Sequence, residues 1–136
     1  MIRPAAVTLG LLLLAAAPVH AQVPAPKTED IGPKLIGVWE GPYQSDQASP
    51  GSLRLSIEKE AGAWKVSLQV QSDQPVDAAE VRDFTVDGAQ ISWVQDIMGM
   101  ECKTQATLES GTLKGGTECS QGGAVAITAT FVMLKK

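Results

Sequence analysis

Apolar and polar residues alternate along most of the chain from Leu35 onward. The alternation is clearest in residues 53–57 and 64–70, where a single polar residue separates each apolar residue from the next. Successive side chains of a strand point to opposite faces, so each run predicts a strand with one buried and one solvated face. No segment sustains the helical repeat of about 3.6 residues. The domain is therefore expected to be all-β.

Turn residues divide this region into eight predicted strands: 35–43, 51–59, 64–72, 79–86, 89–97, 100–109, 112–120 and 124–134. Short strands joined in order by tight turns predict an eight-stranded antiparallel up-and-down meander barrel. Closing the barrel would remove the free sheet edges that an isolated sheet leaves. A β-sandwich is the alternative architecture.

Three two-residue turns fix the expected pairing of the strands that flank them. The turns are Ala61-Gly62, Asp87-Gly88 and Ser110-Gly111. The expected partners are Ile57 with Val66, Leu55 with Leu68, Leu53 with Val70, Phe84 with Ile91, Val86 with Ala89 and Leu108 with Leu113. The last strand is expected to carry one apolar face made of Val125, Ile127, Ala129, Phe131 and Met133.

The Ser110-Gly111 turn also places Cys102 opposite Cys119. Counting from the turn, the two cysteines fall on a non-hydrogen-bonded pair, where side chains of neighbouring strands approach most closely. An even number of cysteines in an exported chain is typical of disulfide bonding. The sequence therefore predicts a Cys102–Cys119 disulfide.

The first 21 residues have the pattern of a signal peptide. Arg3 is followed by an uncharged run over residues 5–17, and small residues precede a cleavage position after Ala21. The run is shorter than the about 20 apolar residues that span a bilayer. We expect a signal peptide at 1–21, a flexible leader at 22–34 and a single barrel domain at 35–136. The mature protein is expected to be periplasmic or extracellular, with no membrane span.

Cleavage would remove Arg3 and the only histidine, His20, which leaves ten basic and fifteen acidic residues and a net charge of −5. This acidic balance argues against nucleic-acid partners. Without histidine, the usual general base and the commonest metal ligand are both missing. Asp73, Asp77, Glu80 and Asp83 lie close in sequence but lack the spacing of a calcium loop. We expect no enzymatic activity, no cofactor and no bound metal.

The connections at one predicted barrel end are longer or more apolar than the two-residue turns at the other end. Methionine is an unusual choice on both sides of a solvent-exposed turn, yet Met98 and Met100 flank Gly99. We predict a ligand-binding mouth at this end, with Tyr43, Met98 and Met100 at its rim and Trp93 below them.

Gly37-Val38-Trp39 on the first strand resembles the Gly-x-Trp motif of lipocalins and the wider calycin barrels. The resemblance implies that Trp39 closes one barrel end beside a basic residue of a late strand, Lys135 or Lys136. The chain is also similar to small secreted bacterial domains of poorly defined function. The residues that carry this similarity are Gly41, Leu53-Arg54-Leu55, Asp87-Gly88 and 111–115, together with Gly37 and Trp39.

These features favour a non-enzymatic, monomeric binding module for a small apolar ligand or a partner protein outside the cytoplasm. The first alternative is a periplasmic protease inhibitor, in which residues 22–33 would be the inhibitory arm. A second alternative is an accessory structural domain.

Overall fold

The computed structural model describes residues 30–136, so the predicted signal peptide and most of the predicted leader lie outside the described residues. One short helix, α1 (Gly32–Leu35), precedes nine strands. The strands are β1 (Gly37–Ser45), β2 (Gly51–Glu60), β3 (Ala63–Gln71), β4 (Val76–Glu80), β5 (Arg82–Asp87), β6 (Gln90–Ile97), β7 (Met100–Glu109), β8 (Thr112–Gln121) and β9 (Ala124–Lys135). Within residues 30–136, no helix has the length and apolar character that a bilayer span requires.

The strands form one antiparallel up-and-down sheet that curls into a nearly closed barrel, as predicted. Each strand from β5 to β9 pairs with the next one, and β9 pairs with β1. Gly41 permits this closure, because a Cβ atom there would lie 1.8 Å from the carbonyl oxygen of Val132 on β9. A side chain at residue 41 would therefore force β1 away from β9.

The predicted strand 79–86 is two strands, which is why the sheet has nine members instead of eight. β4 pairs with β3, whereas β5 pairs with β6, and the chain changes partner at Val81. The Val81 amide donates to the Val66 carbonyl at 2.9 Å, and Asp83 adopts a left-handed backbone conformation with φ of 53°. This bent segment therefore forms the seam of the barrel.

Two of the three predicted hairpin registers are confirmed. Leu55 pairs with Leu68 around the Ala61-Gly62 turn, and Leu108 pairs with Leu113 around Ser110-Gly111. The same registers pair Ile57 with Val66 and Leu53 with Val70.

The register predicted from Asp87-Gly88 is wrong. The turn is Gly88-Ala89, and Asp87 belongs to the ladder, where it pairs with Gln90. Consequently Val86, not Phe84, lies opposite Ile91. The carbonyl of Ala89 instead accepts a hydrogen bond from the Leu108 amide at 2.8 Å, which holds this residue in the turn.

The cysteines form the predicted disulfide between adjacent strands β7 and β8. Both side chains are buried, with exposures of 0% for Cys102 and 4% for Cys119. On the same interior face, the Thr104 and Thr117 hydroxyls form a hydrogen bond next to the disulfide. The β7–β8 ladder is thus joined by two side-chain links inside the barrel.

The helical turn α1 and Trp39 close the end of the barrel opposite the long loops. Pro33 lies in the first turn of the helix, where its missing amide hydrogen would have no partner anyway. Trp39 is 1% exposed, and its indole N–H donates to the Leu35 carbonyl at 2.9 Å. The first strand therefore begins at Gly37, two residues later than predicted, because residues 32–35 are helical.

The last strand carries most of its predicted apolar face inward. Phe131 and Met133 are buried, and Ile127 and Ala129 are half-buried. Val125 is the exception, with 56% of its surface exposed. The β8–β9 register shifts between Cys119 and Ser120, so the strict alternation that predicted an inward Val125 does not extend past Ile127.

Replacing both cysteines, as Cys102→Ala/Cys119→Ala, should lower the free energy of unfolding by about 3 kcal/mol, because the disulfide closes a loop of 17 residues in the unfolded chain. Urea denaturation without reductant measures the loss. Added reductant should destabilise the wild type but not the double variant. A loss below about 1 kcal/mol would contradict the stabilising role.

Trp39→Ala should lower the free energy of unfolding by about 3–5 kcal/mol, as large-to-small aromatic changes in a core do. Trp39→Phe keeps an aromatic ring but loses the hydrogen bond to Leu35, so we expect a smaller loss, on the order of 1–3 kcal/mol. Chemical denaturation of both variants tests this order. Equal stability of Trp39→Ala and wild type would show that the residue is not a plug.

Candidate functional site

A cavity of about 500 Å³ opens at the barrel end that carries loops 46–50 and 72–75. Side chains from eight strands, the two loops and the β6–β7 turn line it. Its apolar wall consists of Tyr43, Ala48, Leu53, Val70, Val76, Ile97, Met98, Met100, Cys119, Ile127 and Ala129. Its polar residues are Gln47, Ser49, Ser72, Asp73 and Gln74.

The cavity ends where the barrel interior becomes filled. One inward position further along the strand, four lining residues are followed by a buried one: Leu53 by Leu55, Val70 by Leu68, Ala129 by Phe131 and Ile97 by Gln95. These deeper residues are at most 7% exposed. An eight-stranded barrel has room to be filled by its own side chains or to hold one small ligand. This barrel is filled by its own side chains in the half next to Trp39, and the half next to the two long loops is hollow.

The structure brings together three of the four residues predicted for the mouth. Tyr43, Met98 and Met100 all line the cavity. Trp93 does not, because it lies deeper on β6, where its ring stacks on Phe84 with 6.4 Å between centroids. Trp93 therefore belongs to the filled half of the barrel.

Met98 occupies a turn position that is unfavourable for its type. Its φ is 52° and that of Gly99 is 79°, both in the left-handed region. A residue with a Cβ atom in that region costs on the order of 1 kcal/mol, and Asn, Asp or Gly is the usual choice in such a turn. The side chain is 60% exposed, so packing does not explain its presence. Residues in the corresponding turn position elsewhere, Ala61 and Ser110, are small.

Tyr43 lies over a strand position that only glycine can occupy. A Cβ atom on Gly51 would lie 2.9 Å from Cε1 of the Tyr43 ring and 2.4 Å from the Gln71 carbonyl oxygen. Gly51 is also the direct pairing partner of Tyr43. The absence of a side chain at residue 51 therefore lets the tyrosine ring lie against β2 at the edge of the cavity.

Hydrogen bonds hold the loop between β1 and β2 over the cavity. The Gln47 side-chain oxygen accepts from the Thr128 amide at 3.1 Å and from the Thr128 hydroxyl at 3.3 Å. The Ser45 hydroxyl donates to the Thr128 carbonyl at 2.7 Å and accepts from the Gln47 amide at 3.2 Å. This network attaches the loop to β9, so the rim is largely preformed.

The loop between β3 and β4 is ordered by its own serine. The Ser72 hydroxyl accepts from the Gln74 amide at 3.1 Å and donates to the Gln74 carbonyl at 3.0 Å. Such a local turn fixes the backbone on either side of Asp73. The second rim loop is therefore also held in place without a ligand.

Polar groups below the cavity are engaged with one another. Among residues 30–136, the buried polar side chains are Gln95 and Thr104. The Trp93 indole N–H donates to the Gln95 side-chain oxygen at 2.7 Å, and Thr104 bonds to Thr117. These contacts satisfy buried groups as structural hydrogen bonds do, and they present no nucleophile paired with a base.

Asp73 is the only charged residue among those that line the cavity. The described residues contain no group of three or more His, Cys, Asp or Glu side chains that is arranged to hold a metal ion. The wall of the cavity is thus apolar, with a single carboxylate at its edge.

A second hollow, of about 560 Å³, lies at the closed end of the barrel. It is bordered by Trp39, Leu108, Lys34 and Lys135. This hollow and the cavity at the mouth have no lining residue in common.

Sequence reasoning missed the loop residues, Val76, Ile127 and the disulfide as parts of the cavity wall. Ile127 was predicted to point inward, but not to be left uncovered. The sequence predicts Cys119 only as half of a crosslink, although its position opposite Ile127 places it on the same wall. Residues 119, 127 and 129 occupy alternate strand positions whose side chains point inward, and this alternation is the sequence feature that could have identified them as lining residues.

Comparison of the chain with protein-family models and with curated proteins finds no match. The class of the protein therefore follows from its own geometry. It is a nearly closed antiparallel β-barrel with an internal disulfide, one end plugged by tryptophan and the other hollow.

The hollow end can be tested with two matched alanines that both point inward. Ala129 lines the cavity, whereas Ala106 is 2% exposed in the filled half. Ala129→Leu should leave the free energy of unfolding nearly unchanged or raise it, because the new side chain enters empty space. Ala106→Leu should lower it by about 1–3 kcal/mol through overpacking. Equal losses in urea denaturation would show that the mouth half is as tightly packed as the core.

Proposed function

We propose that this protein is a non-enzymatic binding module whose hollow barrel end takes a small apolar ligand. The observation that carries the proposal is the preformed cavity with Met98, Met100 and Tyr43 on its wall. Its volume of about 500 Å³ lies within the range of about 300–1,000 Å³ that is typical of small-molecule sites.

The unfavourable position of Met98 supports this proposal. A flexible, polarisable thioether adapts to irregular apolar shapes, which suits a binding surface better than a turn. Its exposure leaves apolar area that a ligand would remove from water, at about 25 cal/mol per Å². The strain and the exposure together support a role of this side chain in binding.

The absence of suitable catalytic groups among residues 30–136 supports the non-enzymatic part of the proposal. These residues include no histidine, both cysteines are joined, and the buried hydroxyl and amide groups bond to one another. The carboxylate of Asp73 stands alone at the cavity.

We further infer a relationship to the lipocalin and calycin barrels. Lys135 supports it, since its Nζ atom lies 5.9 Å from the centroid of the Trp39 ring. The same ammonium group donates to the Lys34 carbonyl at 3.1 Å. A basic residue from the last strand thus stands beside the tryptophan of Gly37-x-Trp39, as the resemblance implies.

An exported location is also part of the proposal. The disulfide supports it, because such crosslinks persist in oxidising compartments. The signal peptide predicted at 1–21 lies outside the described residues. The protease-inhibitor alternative depends on residues 22–33, most of which also lie outside them, and it stays a prediction.

Met98→Ser/Met100→Ser should weaken binding of the neutral fluorescent dye phenylnaphthylamine by about tenfold or more, because two apolar contacts worth on the order of 1 kcal/mol each are lost. Fluorescence titration measures the affinity, and urea denaturation checks that the fold is retained. Host lipid extracts supply natural competitors for the dye.

The matched control is Val132→Ser/Leu134→Ser. These residues are also exposed apolar side chains, 44% and 59% exposed, but they lie on the outer face of β9. Dye affinity should stay at the wild-type value in this variant. If wild type binds neither dye nor lipid, or if both double variants lose binding equally, the cavity is not the binding site.

A further inference from the structure

The charges around the cavity restrict the kind of polar head that a ligand can carry. No lysine or arginine is among the residues that line it, and Asp73 contributes its only formal charge. Asp73 forms no ion pair with any residue in 30–136, in contrast to Glu40, Glu60, Asp96 and Glu101. Its carboxylate is exposed at the rim.

The basic residues in the same half of the barrel are already paired on its outer surface. Arg54 lies 3.5 Å from Glu40. Arg82 contacts Asp96 at 2.9 Å and Glu101 at 3.9 Å, and Lys103 lies 4.0 Å from Glu101. Two further acidic residues lie at this end: Asp46 in the first rim loop and Asp77 just after the second. Most lysines lie near the plugged end instead: Lys34, Lys59, Lys65, Lys114, Lys135 and Lys136. The mouth therefore has a local excess of negative charge.

An apolar cavity beside one unpaired carboxylate favours a particular ligand shape. An alkyl or ring portion would occupy the space between Met98, Leu53 and Ile127, and a cationic head would stay at the rim beside Asp73. An anionic head in the same place would meet the like charge of Asp73, and the side-chain donors of the lining are uncharged hydroxyl and amide groups: Tyr43, Gln47, Ser49, Ser72 and Gln74.

We propose that the cavity selects amphipathic cations, with the carboxylate of Asp73 as the counter-charge, and discriminates against fatty-acid-like anions. This inference rests on the proposed function, since it assigns the head group of the ligand that the cavity holds. Tyr43 adds a ring at the same rim, a group that attracts cations over its face.

The test uses three probes with the same decyl chain and different heads: decyltrimethylammonium, decanol and decanoate. Each competes with phenylnaphthylamine at low ionic strength, below the concentration at which it forms micelles. The affinity should fall in that order. Because exposed ion pairs are worth about 0.2–1 kcal/mol, Asp73→Asn should weaken the binding of decyltrimethylammonium by about 1.4–5-fold and strengthen the binding of decanoate. Added salt should shrink the difference between the cation and the anion in wild type.

The matched control is Asp87→Asn, which makes the same change in net charge at the plugged end of the barrel, outside the cavity. The three probes should bind Asp87→Asn in the same order of affinity as they bind wild type. Tighter binding of decanoate than of decyltrimethylammonium, or the same ratio in Asp73→Asn and wild type, would overturn this inference. In those cases retained, methionine-dependent dye binding would leave the proposed function standing. Failure of wild type to bind the dye and all three probes would overturn both.

Discussion

The pairing of the first strand with the last is the interaction on which the rest of the structure depends. It converts a meander of hairpins into a nearly closed barrel, and it fixes which faces of β1 and β9 point inward. Gly41 makes the close approach possible. The same register places Trp39 beside Lys135 at one end and Tyr43 opposite Phe131 towards the other. The plug and the mouth are thus set by one ladder of hydrogen bonds.

The two-residue turns and the alternation of apolar and polar residues were enough to predict most of the strand pairings. A two-residue turn fixes the register of the two strands that it joins, so Leu55 pairs with Leu68. Counting from the Ser110-Gly111 turn pairs the two cysteines in the same way. The rule failed at Asp87-Gly88, where the turn residues are Gly88 and Ala89 and the Ala89 carbonyl accepts a hydrogen bond from Leu108 of β7. It also could not foresee the break at Val81, because the change of partner depends on curvature of the whole sheet.

The cavity was predictable in position but not in extent. Tyr43, Met98 and Met100 were identifiable from turn composition, because large apolar residues are out of place there. Empty space has no residue pattern of its own. It depends on how far inward side chains such as Ala129 and Ile127 reach, and on loops tied down by Gln47 and Ser72. The depth of Trp93 could not be derived for the same reason, since a strand position does not reveal where filling of the barrel begins.

The split of the seam strand has a mechanical consequence. β7 and β8 are joined by a complete ladder, a disulfide and a threonine pair, whereas β4 and β5 each have one strand neighbour among the described strands. Local opening follows the path with the fewest bonds to break. The barrel wall is accordingly stiff on the disulfide side and compliant at the seam. Val76 on β4 is part of the cavity wall, so widening of the seam would enlarge the mouth while the β7–β8 wall keeps its shape.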